Sequence, residues 1–433
     1  MIKFDQYEES EVSFQERYRE WFEKYPNLTL LAESKTREEF DYYNGRRSHE
    51  KVKKPIKQYL PSYGNWKGAL YRAAYNVLRR PLSATEAQKP SIFFYWRQET
   101  EESITSSSLL HEYKINRGHA SIFESFFPSS LRLQSITAVS PAIWRAYKIV
   151  YDSIARDPEI EKSLHSPDKI EKLVGREVEK VATMLSKSNI KYIVLGSDQS
   201  PYFRILCQAA RLAGARTAVI GHGYFESRHL GGVLPVYSDR LFVWTRLQKE
   251  QIDEVIEEEK KDKVCWQGFP YPVERANSIE ERVLLVLDDI PDVATQEWLW
   301  AYDKVLKSLI RDGWRVTVRP RRSCDVKLFE KRLRNSAIRV QKINLYSEFD
   351  QVSHVVGGRS SVAVQAAFYG LVTIRVFEWT DERQVGEGIE RVKAEHVAEF
   401  LRASRESGMV TATDAVELKL NEIIRVLDTV QAV

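Results

Sequence analysis

The chain has 433 residues, 65 of them basic and 61 acidic, for a formal net charge of +4. That length exceeds what one core usually serves and points to two domains, while the near balance of charge carries no bulk signature of a nucleic-acid binder. Hydrophobic residues at 43% and aromatics at 11% exclude a disordered chain, and three scattered cysteines, Cys207, Cys265 and Cys324, offer neither a CxxC zinc pair nor a disulfide framework and fit a reducing compartment.

The N-terminus, MIKFDQYEESEVSF, is polar and acidic and does not read as a signal peptide. No apolar run approaches the ~20 residues of a membrane-spanning helix. The expectation is a cytoplasmic protein, soluble or held peripherally at the inner face of the membrane. Residues 1 to 85 read as helix and loop. Within them, residues 46–80 carry ten Lys or Arg against one acid, Glu50, with Trp66, Leu70, Tyr71, Ala74 and Val77 interleaved at helical spacing. Such a segment suits peripheral contact with anionic membrane, or equally a solvated helix whose apolar stripe packs on its own domain.

From residue 90 the pattern becomes strand alternating with helix. Ile92–Trp96 is a short apolar run, Ile170–Ser186 a helix and Tyr192–Leu195 a buried strand. Phe203–Ala213 reads as a helix closed by Gly214, followed by a strand at Thr217–Ile220. Leu241–Trp244 and Val264–Trp266 are further strands, with an acidic helix between them. A second series starts at Val283. Thr295 is placed to cap a helix that Gly313 ends. Strand Arg315–Val318, helix Val326–Leu333, strands Ile338–Ile343 and His354–Val356, helix Ser361–Tyr369 and strand Val372–Val376 follow, with helices expected to Val433. Strands and helices in alternation imply parallel sheets covered on both faces. The fold class is therefore α/β, with two Rossmann-like domains at 1–275 and 276–433 and a Pro-containing polar hinge, PYPVERANSIEE, at their junction.

In such folds ligands bind beyond the carboxyl ends of the strands. Asp198, in the Gly196–Pro201 turn, is placed there either as a general base or acceptor-hydroxyl ligand, or as the cap of the next helix. His222 lies between Gly221 and Gly223 after the next strand, where little suggests a core histidine and general-base work is open to it. Glu226 could orient His222, act itself, or be surface charge. In the second domain Arg319, Arg321 and Arg322 crowd one strand end, a cluster that a diphosphate would satisfy and that could also be a solvated basic turn. Gly357-Gly358-Arg359-Ser360-Ser361 opens an apolar helix. Glycines allow close backbone approach and the serines offer hydroxyls at a helix N-terminus that favours phosphate, or simply cap the helix. The motif matches neither the P-loop nor GxGxxG pattern.

Taken in order, these elements resemble the GT-B glycosyltransferases that build bacterial cell-surface polymers, whose relatives include capsule sialyl- and polysialyltransferases, capsule Kdo transferases and teichoic-acid glycerophosphotransferases. Gly221-His222-Gly223 is similar to that family's QHG element, Val243-Trp244-Thr245 to its VWG strand and Gly268-Phe269-Pro270 to its GxP element. Arg319-Pro320-Arg321-Arg322 resembles the RPHP strand end, and Ser360-Ser361 with Gln365-Ala366 and Gly370 the SSxxxEAxxxGxP helix. The resemblance spans about residues 190 to 380. It departs at Arg321, where the family has His, and at Gln365, where it has a Glu that holds a ribose. No DxD motif is present, which suggests catalysis without a bound metal.

The resemblance implies a glycosyltransferase that moves a sugar from a nucleotide-sugar co-substrate to a glycan or lipid-linked acceptor in surface polysaccharide synthesis, with no separate cofactor. Donor phosphates would meet Gly358, Ser360, Ser361 and the arginines, Gln365 would lie near the ribose, and Asp198, His222 or Glu226 would serve the acceptor. Two other readings share the architecture: a nucleotide-sugar epimerase, and a non-catalytic GT-B scaffold subunit of a polysaccharide assembly complex.

Overall fold

The computed structural model describes residues 19–32, 90–95, 114–118, 143, 146–147, 149–150, 166–199, 201–221, 223, 233–271, 282–287, 296–320, 337–358, 360–376, 389–407 and 417–430. These form two six-stranded sheets, every strand pairing parallel to its neighbours. The basic segment 46–80, the helix expected at Val326–Leu333 and the hinge beyond Tyr271 lie outside the described residues.

The first sheet holds β1 (Ser91–Tyr95), β2 (Lys114–Gly118), β3 (Ile190–Leu195), β4 (Arg216–Ile220), β5 (Arg240–Val243) and β6 (Val264–Trp266), in spatial order β2-β1-β3-β4-β5-β6. Its helices are α1 (Arg19–Lys24), α2 (Pro167–Lys187), α3 (Pro201–Leu212) and α4 (Arg246–Asp253). The apolar positions of α2, Ile170, Val174, Val178, Val181 and Leu185, recur every three or four residues and all bury against the sheet side. Gly214, at φ +71°, ends α3 in the left-handed conformation that a side chain would resist. The short segment Leu28–Leu31 is held to α2 by Glu171, whose carboxylate accepts from the backbone amides of Asn27 and Leu28.

The second sheet holds β7 (Arg282–Val286), β8 (Arg315–Arg319), β9 (Ile338–Val340), β10 (His354–Gly357), β11 (Val372–Val376) and β12 (Glu390–Val392), in order β12-β11-β10-β7-β8-β9. Its helices are α5 (Gln296–Arg311), α6 (Leu345–Phe349), α7 (Ser361–Phe368) and α8 (Val397–Ser407). Strands β10 and β11 are buried at every position, which is why they read as continuous apolar runs rather than alternating ones. The expected α/β class with two Rossmann-like sheets is what the topology forms.

Two expectations are corrected. Strand β9 stops at Val340 instead of Ile343, because the Ile343 amide and carbonyl bond to side chains and not to a neighbouring strand. Strands β2 and β12 were not anticipated, and β12 replaces part of the helical remainder. The last helix, α9 (Leu420–Asp428), packs on the first sheet. Its Leu420, Ile423, Ile424 and Leu427 cover Ile92, Val194, Ala218, Ile220 and Phe242 of the first sheet, and Asp428 accepts from the Tyr192 hydroxyl at 2.6 Å. The return is marked by the Leu418 amide donating to the Phe269 carbonyl at 2.8 Å.

Candidate functional site

In the second sheet the chain runs β7, β8, β9 to one edge, then returns beside β7 to lay down β10, β11 and β12. The strand order reverses between β7 and β10, and a crevice opens outside the carboxyl ends at such a point. The chain leaving β10 there is Gly357-Gly358-Arg359-Ser360-Ser361. A Cβ at Gly357 would stand 3.5 Å from the Ala363 Cβ and 3.8 Å from the Val286 Cβ, in ordinary contact, so the start of α7 lies close over β7 and β10. Ser360 caps α7, its hydroxyl accepting from the Val362 amide at 3.2 Å. Its oxygen is thus engaged by the helix. Gln365 lies one turn beyond Ser361 on the same helix and is buried.

The first sheet contributes the turn after β4. The Gly221 amide donates to the Phe242 carbonyl at 2.8 Å, which extends the strand pairing by one residue. The Gly221 carbonyl accepts from the indole N–H of buried Trp244 at 2.6 Å. Two residues on, a Cβ at Gly223 would lie 3.5 Å from the Ser361 Oγ. The turn expected on the acceptor side and the serine expected on the donor side therefore face each other across the junction of the two sheets. His222 itself, with Glu226, Arg321 and Arg322, lies outside the described residues.

Aromatic packing closes the junction below that contact. The Trp244 ring meets Phe269 edge-on at 5.0 Å and Tyr271 at 5.5 Å, and Phe269 meets Phe368 of α7 at 4.7 Å. Val364, Ala367 and Ile389 complete the cluster. Helix α7 thus carries Ser361 at one end and Phe368 at the other, and both ends touch the first sheet's residues. The architecture is two Rossmann-like parallel sheets that meet through α7.

No protein-family model and no curated protein matches the chain. Among solved structures it is similar to the UDP-GlcNAc 2-epimerase from Methanocaldococcus jannaschii, at 17% identity and TM-score 0.47, covering 79% of this chain and 99% of that one. It is also similar to a glycosyltransferase from Rickettsia africae (10% identity, TM-score 0.43, 79% and 94% covered). A third is the E. coli heptosyltransferase with ADP (11%, 0.34, 74% and 100%).

Two expected site residues have protein partners that their sequence context did not suggest. Asp198 follows the carboxyl end of β3, as its place in the sequence implied. It is 2% exposed, and its carboxylate accepts from the Tyr237 and Ser238 amides at 2.8 Å each and from the Gln199 side chain at 2.8 Å. Gln199 also donates to the Pro235 carbonyl. Burial raises the Asp198 carboxyl above its ordinary range, and the three donors pull it back. Those bonds fasten the 235–238 segment ahead of β5 to the end of β3.

Arg319 finds its anion inside the protein. Its guanidinium pairs with Glu348, which is fully buried, and also donates to the Ile343 carbonyl at 3.0 Å. The second Glu348 oxygen accepts from the Ile343 amide at 2.9 Å. Burial raises the Glu348 carboxyl, and the Ile343 amide and Arg319 oppose that rise. Sequence reasoning missed Glu348; its only signal was an acid inside the apolar stretch LYSEF. It also passed over Trp244 as a site residue, reading it as part of a strand. Among the described residues no group of three or more His, Cys, Asp or Glu is arranged to hold a metal ion. Among them, too, no helix is long and apolar enough to cross a membrane.

Proposed function

We propose that this protein is a nucleotide-sugar enzyme that works in the gap between the β4 turn and the N-terminus of α7, and that its reaction is glycosyl transfer. The observation that carries the reading is the approach of Gly223 to Ser361, which joins a histidine-bearing turn of one sheet to a capped helix start at the strand-order reversal of the other. A helix N-terminus offers unpaired amides and the positive end of its dipole, so a sugar-diphosphate is favoured there. Ser361 supplies a hydroxyl beside those amides, while Ser360 holds the helix. Gly358 gives the backbone room to approach the phosphates, and Gln365 lies one turn further in, where a ribose hydroxyl could reach it.

In this mechanism the acceptor hydroxyl gives its proton to His222, and its oxygen bonds to the anomeric carbon. The bond from that carbon to the donor phosphate breaks, and the phosphate leaves with the electron pair. The positive end of the α7 dipole, with Arg321 and Arg322, takes up the charge that builds on the leaving group. Arg319, already neutralised by Glu348, shapes the floor instead. Surface polysaccharide synthesis, with a glycan or lipid-linked acceptor, is the setting that the sequence resemblance suggests, and residues 46–80 are a candidate for anionic membrane contact.

A thermal-shift panel of UDP, GDP, CMP, CDP, dTDP and their sugar conjugates tests the donor, since a ligand bound only by the folded chain raises the melting temperature. A selective hit that Ser361→Ala abolishes supports the site. Conversion of the hit to its C2 epimer without any acceptor would replace transfer by epimerisation. Binding with no turnover under either condition would favour the scaffold, and silence across the panel would remove the nucleotide-sugar reading altogether.

A further inference from the structure

Trp244 stands between the Gly221 carbonyl and the aromatic cluster that reaches α7. Its backbone is fixed first. The Trp244 amide donates to the Gln248 side-chain oxygen at 3.0 Å, and Thr245 and Gln248 form a reciprocal capping box at the start of α4. The indole is then held on one side by a first-sheet turn and on the other by a second-sheet helix. Its N–H reaches the Gly221 carbonyl, and its ring reaches α7 through Phe269 and Phe368. At the far end of α7, Ser361 comes back to Gly223, two residues from Gly221. The path Gly221, Trp244, Phe269, Phe368, Ser361, Gly223 is a closed circuit through both units.

A buried indole N–H that loses its acceptor carries a desolvation penalty, so the Gly221 peptide is pulled toward Trp244 as long as the ring stays packed. Close-packed aromatic clusters shift between discrete arrangements and do not deform smoothly. A displacement of α7 therefore reaches the Gly221 peptide through one side chain.

We infer that Trp244 is a positioning residue, which couples the place of α7 to the place of the Gly221–Gly223 turn and so sets the separation of Gly223 from Ser361. The inference rests on the reading of that gap as the reaction site, and its test is arranged to need no substrate.

Trp244→Phe keeps a ring in the cluster and removes only the indole N–H. Hydrogen exchange is then followed in the first turn of α7. Loss of one hydrogen bond at the other end of the circuit is expected to speed exchange there by roughly five- to tenfold, with β7 and α5 unchanged. Exchange altered only near Gly221, or in neither place, overturns the coupling. Should Trp244→Phe not fold, Ser361→Val in the otherwise native chain answers the same question in reverse. It presses on Gly223, and the Trp244 indole N–H resonance is expected to move although residue 361 does not touch that ring. An unmoved resonance overturns the inference. Once a donor is known, Trp244→Phe is expected to lower kcat about tenfold with KM held within about twofold, because alignment and not ligand contact is lost. If no donor turns over, the transfer reading fails by itself, and the exchange and resonance measurements still decide the coupling.

Discussion

Gly223 and Ser361 belong to different sheets, yet a Cβ on Gly223 would lie 3.5 Å from the Ser361 hydroxyl oxygen and 3.7 Å from its Cβ. That is ordinary van der Waals contact with no spare room behind it. Gly223→Ala is therefore expected to fold and bind nucleotide nearly as the parent does. Gly223→Val adds branches that must push α7 away, and is expected to cost at least about tenfold in nucleotide affinity with a melting temperature near the parent's. Calorimetric titration of the nucleotide found by thermal shift compares the two. Equal affinity in Gly223→Val and the parent would mean that the ligand does not lie in this gap.

The two serines divide the labour at α7. Ser360 caps the helix through the Val362 amide, so Ser360→Ala is expected to lower stability by about 1 kcal/mol. Ser361 has its hydroxyl toward Gly223, so Ser361→Ala is expected to change stability by less than about 0.5 kcal/mol and to weaken donor binding. Urea unfolding and nucleotide titration of both variants separate the effects. A reversed pattern would exchange the roles.

Asp198 ties the end of β3 to the segment before β5. Asp198→Ala leaves two buried amides without acceptors, and its cost is expected to be about 2–4 kcal/mol. Since the carboxylate touches backbone and Gln199, any loss of turnover should follow the loss of folded protein. A variant that unfolds normally but is catalytically dead would restore Asp198 as a base.

Glu348 is buried beneath Arg319 and pinned also to the Ile343 amide. Removing one partner of a buried pair strands the other charge, so Glu348→Ala is expected to destabilise by about 3–5 kcal/mol. The double variant Glu348→Leu with Arg319→Met is expected to recover most of that loss in urea unfolding. Failure of the pair to recover would indicate that Arg319 answers to another anion.

These two carboxylates mark where reading the sequence stopped. Most strands and helices were legible, since parallel strands such as β10 and β11 are apolar throughout and α2 repeats at helical period. The Gly221–Gly223 turn and the Ser360–Ser361 helix start were legible as well, because glycine and serine at strand ends have few other uses. That the two would face each other was not, for no local pattern encodes contact across 138 positions. The protein partners of Asp198 and Arg319 were hidden for a related reason. A charged residue at a strand end looks the same whether it meets solvent, a ligand, or distant partners such as Tyr237 and Glu348. The return of α9 to the first sheet was hidden likewise, since its amphipathic pattern says that it packs and not against what.

His354 begins the central strand β10, at the end opposite Gly357 and the gap. Its ring is buried among Trp314, the Ser353 hydroxyl on Nδ1 at 2.7 Å and the Ser404 hydroxyl near Nε2 at 3.4 Å. Burial, helped by the Arg405 charge, draws its pKa down from 6.5 to about 4. With the folded value below the unfolded one, the unfolded chain takes the extra proton first as pH falls. The contribution of His354 is therefore fully present above pH 6.5 and is lost progressively toward pH 4, to a total of about 3 kcal/mol. Urea unfolding across that range should show the decline in the parent and a flatter profile in His354→Gln, which keeps a polar side chain but does not titrate. Parallel profiles would mean that other groups govern the acid limb, and that His354 already has its proton in the folded chain.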